Sequence, residues 1–288
     1  MLLLIGGDSE IAIAVLARLR GRGYNAPVTT RRSDIGPERI RLDLDEALDG
    51  WEPPSRTESA GLFAAVARPA TCAADPTASA RINVTQTVAL AERLITRGIY
   101  VLFLSTNQVF DGLTPNVPVE APMAPVSEYG RQKARTEEVL RGYIDRSAPV
   151  GILRLAKVVS PQSPLLQNWR ATLAAGGPIH AFSDMTMAPV PISDVAYAVE
   201  ALLTERVRGQ FQLSGPRDVS YTEIGSYLAA RLGADQRLVK KTSVKDSGLP
   251  EGVNPLHTTM DSTALRQRYS IIVPDAWDVI DATLSLAG

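Results

Sequence analysis

The chain has 288 residues, with 30 basic and 31 acidic side chains giving a formal net charge of -1, and is 45% hydrophobic and 21% charged. This is the profile of a soluble globular protein of one large or two small domains, and the lack of a basic run argues against a nucleic-acid or membrane-surface partner. The lone Cys72 allows no internal disulfide, which fits a reducing, cytoplasmic setting; His180 and His257 stand 77 positions apart with no Cys or acidic cluster near either, so no metal site is expected.

In chain order, the apolar run 2–5 ends at Gly6-Gly7, too short for a signal-peptide core or a membrane span, and reads as a strand. A helix follows over 9–22, then strands near 26–30, 40–42 and 62–66, a helix over 75–97 and a strand over 100–104. Between residues 42 and 62, Pro53-Pro54 leaves only a stub of helix at 45–49, so that crossover is expected to be irregular. A helix over 127–146, a strand over 150–155 and a helix over 164–175 continue the alternation. Pro189-Val190-Pro191 then breaks the chain before a helix start at Ser193-Asp194, and Ser220 with Glu223 has the spacing of a capping box.

Alternation of strand and helix predicts an α/β fold, a Rossmann-type doubly wound parallel sheet with a smaller C-terminal substrate-binding lobe. The expected division gives residues 1–155 plus about 185–215 to the dinucleotide-binding domain, and about 156–184 plus 216–288 to the lobe. Ligands of such sheets sit at the carboxyl ends of the strands, where Gly6, Ala67, Thr106 and Lys157 fall.

The chemistry concentrates in Tyr129-Gly130-Arg131-Gln132-Lys133, with Thr106 placed 23 residues earlier at the end of a strand. Four residues apart on a helix, Tyr129 and Lys133 share a face. A phenol is a sluggish acid at neutral pH unless a cation stabilises its phenolate, and Lys133 supplies one. Thr106 can hold the same substrate oxygen that Tyr129 protonates, so the three together suit carbonyl reduction. The competing expectation is a Tyr and a Lys on an ordinary half-exposed helix.

At the N-terminus, strand-turn-helix is the setting of a dinucleotide pyrophosphate site, although its glycine pattern is worn to Gly6, Ser9 and Ala12. Ser9 either reaches phosphate or caps the helix. Thr30-Arg31-Arg32 stands where an NAD site usually has an acid, and two guanidinium groups suit a 2′-phosphate. NADP(H) is therefore preferred and NAD(H) kept open, with Asp34 in reach of the ribose. Asp43 and Leu44 follow the third strand, placed to meet the adenine.

These residues resemble the extended short-chain dehydrogenases/reductases, and within them the dTDP-4-dehydrorhamnose reductase family. STNQVFDG from Ser105 is similar to that family's STDxVFDG, and EYGRQK to its xYGxxK. FSDMTMAPVPISDVA resembles xxDQxGxPTxxxDLA, and NPLHTTMDSTAL resembles RPxxSxLDtxkL, followed by Pro274 and Trp277. The resemblance implies that Thr106, Tyr129 and Lys133 are catalytic and that Lys133 also grips the nicotinamide ribose. It implies a cofactor set of Gly6, Ser9, Glu10, Ile11, Thr30, Arg31, Arg32, Asp43, Leu44, Ala65, Val66, Ala67, Asn83, Ser105, Tyr129, Lys133 and Leu155. For a nucleotide-linked 4-keto-6-deoxy sugar it implies Thr106, Asn107, Val109, Phe110, Tyr129, Lys157 and Met187. Homodimers through the helices at 75–97 and 127–146 are common in the superfamily.

The departures lie on the substrate side: Asn107 and Gln108 replace an acid and an aromatic, Met185 and Met187 replace Gln and Gly, and Asn254 replaces Arg. With that Arg gone, Arg154, Arg170 or Arg217 are the cations left for a diphosphate; Trp51, Trp169 and Trp277 read as core or lobe-packing aromatics, with Trp169 alone placed where it could border the substrate. A reductase is the leading expectation. An epimerase or dehydratase with a tightly held cofactor, and a non-catalytic NADP-binding regulatory subunit, are the alternatives.

Overall fold

The computed structural model describes residues 1–33, 36, 39–248 and 254–285. Its first half runs β1 (Leu2–Ile5), α1 (Glu10–Gly21), β2 (Val28–Thr30), β3 (Arg39–Arg41), β4 (Ser59–Leu62), α2 (Pro69–Ala74), α3 (Pro76–Ala80), a π-helical turn (Arg81–Gln86), α4 (Thr87–Ile95), β5 (Tyr100–Thr106), α5 (Glu128–Asp145) and β6 (Val150–Leu155). Then come β7 (Val158–Val159), α6 (Pro164–Ala174), β8 (Ile179–Phe182), β9 (Thr186–Met187), β10 (Val190–Pro191), α7 (Ile192–Glu205) and β11 (Gly209–Leu213). The chain closes with β12 (Val219–Ser220), α8 (Tyr221–Arg231), β13 (Val239–Thr242), α9 (Thr263–Tyr269) and α10 (Ala276–Ser285). No described helix is long and apolar enough to cross a membrane.

Seven strands form one sheet in the order β11-β6-β5-β4-β1-β2-β3, and every pairing in it is parallel. The order reverses between β1 and β4, and ligands of such sheets bind at the carboxyl ends of the strands beside that reversal. Strand residues alternate between two cores. Leu2, Leu4, Tyr100, Leu102 and Leu104 pack with Val15 and Leu19 of α1 and Val199 and Leu202 of α7. Leu3, Ile5, Val101 and Phe103 pack with Leu90 and Leu94 of α4 and Leu140 of α5. With helices on both faces, the central strands β1, β4, β5 and β6 are buried at every position. A third cluster, including Val159, Trp169, Ile179, Met187, Val219, Leu228 and Ile280, forms a separate smaller core.

The Rossmann-type fold is the expected one, with local differences, among them the helix expected over 75–97, which is broken into α3, a π-helical turn and α4. The fourth strand is Ser59–Leu62, earlier than the apolar run at 62–66. The chain leaves the sheet there because Phe63 and Ala64 both donate to Ile5 O, folding against the turn at Gly6. At 45–49 there are turns and no helix. The seventh strand, β11, was not expected from the sequence; its short GQFQL segment pairs with β6 from Gly209 to Leu213.

Candidate active site

Helix α5 owes its position to a close approach at its start. Ser127 caps it, accepting from Gly130 N at 3.0 Å, and the Ser127 hydroxyl donates to Gln108 Oε1 at 2.9 Å. A Cβ on Gly130 would lie 2.1 Å from Gln108 O, so only glycine lets the helix touch the turn that follows β5. This contact sets Tyr129 and Lys133 behind the carboxyl end of β5. Lys133 Nζ donates to Leu104 O at 2.8 Å, two residues before Thr106. The same ammonium lies 4.4 Å from the Phe103 ring centroid and 5.9 Å from that of Tyr129.

The electrostatics differ from the sequence expectation in one respect. Tyr129 is 9% and Lys133 4% exposed. Burial pushes the Tyr129 phenol up from its ordinary value, with the Cys72 thiol adding to the rise. Burial lowers Lys133 to about 8 against the opposing attraction of Glu137. In the chain alone, desolvation therefore outweighs the cationic help expected for the phenol. Tyr129 stays protonated, the form that donates to an alkoxide.

Thr106 lines a cavity of about 310 Å³, together with Asn107, Phe110, Lys157 and Met187 from the expected substrate set. Val109, also of that set, does not line it and is fully buried in the sheet core. Tyr129 and Lys133 sit in the wall behind the cavity and not on its lining. The lining also takes Gln108, Met185, Thr186, Tyr221, Pro255 and Thr258, of which the sequence singles out only Gln108 and Met185, as departures from the family pattern. Tyr221, Pro255 and Thr258 are brought in by the fold alone. Thr258 is fixed by Asp218, whose carboxylate accepts from Thr258 N at 2.6 Å and from its hydroxyl at 2.9 Å.

The expected substitutes for the lost arginine do not reach this cavity. Arg154 is fully buried, held by Glu137 at 2.7 Å and lying over the Phe110 ring. Arg217 pairs with Asp275 and covers Trp277. Arg170 is half-buried and off the lining. Lys157 is the lining's one cation among the described residues. Trp169 is packed in the third core, edge-on to Tyr221, and does not border the cavity.

At the nucleotide end, Gly6 has φ +88°, and a Cβ there would lie 2.5 Å from Ala64 N, so glycine is required. Ser9 caps α1, accepting from Ala12 N at 3.1 Å. Glu10 accepts from the Ser160 hydroxyl, and Ile11 packs half-buried on the sheet core. Thr30 is buried and donates to Asp8, whereas Arg31 and Arg32 are exposed, with no ion pair among the described residues. Asp43 accepts from Asp45 N. Leu44 packs in the second core at 6% exposure. Leu155 is likewise a core residue at 5% exposure. Asp34 lies outside the described residues.

Ala65, Val66 and Ala67 form the loop after β4. Asn83 clamps that loop: its amide accepts from Val66 N at 2.8 Å and donates to Val66 O at 3.0 Å and to Gln132 Oε1 at 2.8 Å. Asn83 is 1% exposed, and what it holds directly is Val66. Ser105 Oγ is buried without a hydrogen-bond partner, beside Thr106 at the carboxyl end of the sheet. An orphaned hydroxyl there, with the glycine-bound turn and two free guanidinium groups, fits a bound dinucleotide.

The RmlD substrate binding domain family matches residues 1–284. A probable low-salt glycan biosynthesis reductase of Haloferax volcanii is 30% identical over 197 residues, 66% of this chain and 64% of that protein, so the match spans under two thirds of the relative. Among solved structures, a dTDP-glucose 4,6-dehydratase of Streptomyces venezuelae with NAD bound is 20% identical, with a TM-score of 0.81 over 99% of this chain and 95% of its own. A hypothetical dTDP-4-dehydrorhamnose reductase of Sulfolobus tokodaii is 19% identical, with a TM-score of 0.79 over 97% of this chain and 99% of its own.

Proposed function

We propose a function from one premise: the chain belongs to the RmlD substrate binding domain family, the dTDP-4-dehydrorhamnose reductase-like branch of the extended short-chain dehydrogenases/reductases. On this proposal it reduces the ketone of a nucleotide-linked 4-keto-6-deoxy sugar, using NADPH in preference to NADH. The dinucleotide supplies the hydride. Tyr129 gives its proton to the oxygen of the reduced carbon, Thr106 holds that oxygen, and Lys133 holds Tyr129 and the ribose side of the site in place. Gly6 and the start of α1 receive the pyrophosphate, and Arg31 and Arg32 receive the 2′-phosphate. Lys157 meets the anionic end of the substrate, and the smaller core behind Met187 and Tyr221 carries the sugar side.

The observation that carries this proposal is the placement of a protonated, buried phenol and a buried ammonium at the end of the strand that delivers Thr106 to the cavity. The test is consumption of NADPH with a panel of nucleotide-linked 4-keto-6-deoxy sugars. Stoichiometric oxidation with one of them supports the proposal. Binding of the dinucleotide with no turnover on any of them would support the regulatory alternative, and turnover of sugar without net NADPH consumption the epimerase one.

A further inference from the structure

At the carboxyl end of β2, among the described residues, Arg39 and Arg32 act on the carboxylate of Asp8. Asp8, next after the Gly6-Gly7 turn, accepts from the Thr30 hydroxyl with one oxygen and from Arg39 Nη1 with the other, each at 2.5 Å. Thr30 is 2% exposed and holds the Arg32 amide on the same hydroxyl at 3.2 Å, so Asp8 is fixed against the end of β2. Arg32 and Arg39, which act on it, are exposed, as is Arg31 next along the chain. The Thr30 hydrogen bond and the positive charge of Arg39 and Arg32 hold the Asp8 carboxyl below its ordinary range, so it is an anion at neutral pH.

We infer that Asp8 sets the choice between the two nicotinamide dinucleotides: its carboxylate occupies the Arg39 guanidinium that an incoming 2′-phosphate would take. The inference rests on the reading that this chain binds such a dinucleotide. A 2′-phosphate is a dianion that prefers planar guanidinium partners, and it meets here a fixed negative charge that has already claimed the Arg39 guanidinium. A free ribose 2′-hydroxyl meets the same carboxylate as a hydrogen-bond acceptor. Both effects push selectivity toward NADH and oppose Arg31 and Arg32, so Asp8 tempers the NADP preference. A monoanion about 6 Å from a dianion in water is worth roughly tenfold in an equilibrium constant.

The experiment is calorimetric titration of NADPH and NADH, without substrate, into the wild-type protein and two variants. Asp8→Asn keeps an acceptor for Thr30 and frees Arg39; the ratio of Kd for NADH to Kd for NADPH is expected to rise about tenfold or more. Arg39→Gln is expected to move the ratio toward NADH. A ratio in D8N within twofold of wild type, or moved toward NADH, overturns the inference while leaving the proposed function standing. Wild-type protein that binds neither dinucleotide overturns both.

Discussion

Replacing Lys133 by methionine separates stability from activity. The ammonium is 4% exposed and its pKa falls from 10.5 to about 8, chiefly through burial. Keeping it charged at pH 7 costs the folded state about 3 kcal/mol. The folded value lies below the unfolded one, so between about pH 8 and 10.5 the unfolded chain holds more protons and stability rises with pH; below pH 8 the full cost remains. A thioether in place of the ammonium removes that cost but also the bond from Nζ to Leu104 O, about 1 to 2 kcal/mol. Lys133→Met is therefore expected to be more stable than wild type by about 1 to 2 kcal/mol at pH 7, with turnover abolished. The assay is urea unfolding of both proteins at pH 7 and near pH 10. Their difference is expected to move by about 2 kcal/mol in favour of wild type at the higher pH, other titrating groups cancelling. A variant destabilised at pH 7, or a difference that ignores pH, would refute the reasoning that burial governs this lysine.

Gly130→Ala must displace α5 from Gln108 O; turnover is expected to fall at least a hundredfold with the unfolding midpoint lowered, and kinetics with thermal unfolding check it. Arg154→Met leaves Glu137 buried without its partner and is expected to cost about 3 to 5 kcal/mol, most of it recovered in R154M/E137L, by denaturant titration of the single and double variants. Asn83→Ala frees both polar groups of Val66 and is expected to cost about 2 to 4 kcal/mol and weaken dinucleotide binding, read by unfolding and by titration of NADPH. Turnover of the wild type is expected to be level through neutral pH and to decline above about pH 8 as Lys133 loses its charge, seen in a pH-rate profile.

Local signals in the sequence carried the sheet and the start of α5. Leu2 to Ile5 and Tyr100 to Thr106 are buried at every position because both faces are covered, and such runs stand out. Ser220 and Glu223 form the capping box their spacing predicts. Tyr129, Lys133 and Thr106 are legible because helix periodicity and a strand end place them. What the sequence hid depends on long-range packing. β11 has only five residues and half its side chains are partly exposed, so its pattern is faint. Arg154 looked like a free cation because nothing local reveals that Glu137, one element earlier, claims it. The hold of Asn83 on Val66 is hidden because Val66 is 17 residues away in a loop. Tyr221, Pro255 and Thr258 each enter the cavity as single side chains from separate segments, and no spacing links them. Asp8 gains its meaning only when Thr30 and Arg39 close on it.

The most direct test of the central claim follows the reducing hydrogen itself. NADPH carrying deuterium on the transferred position is incubated with a nucleotide-linked 4-keto-6-deoxy sugar and either wild type or Tyr129→Phe, and the sugar product is weighed by mass spectrometry. The expected result is one deuterium on the reduced sugar carbon with wild type, and none above background with Y129F, although Y129F still binds NADPH. Label appearing at the wild-type rate in Y129F would contradict the account.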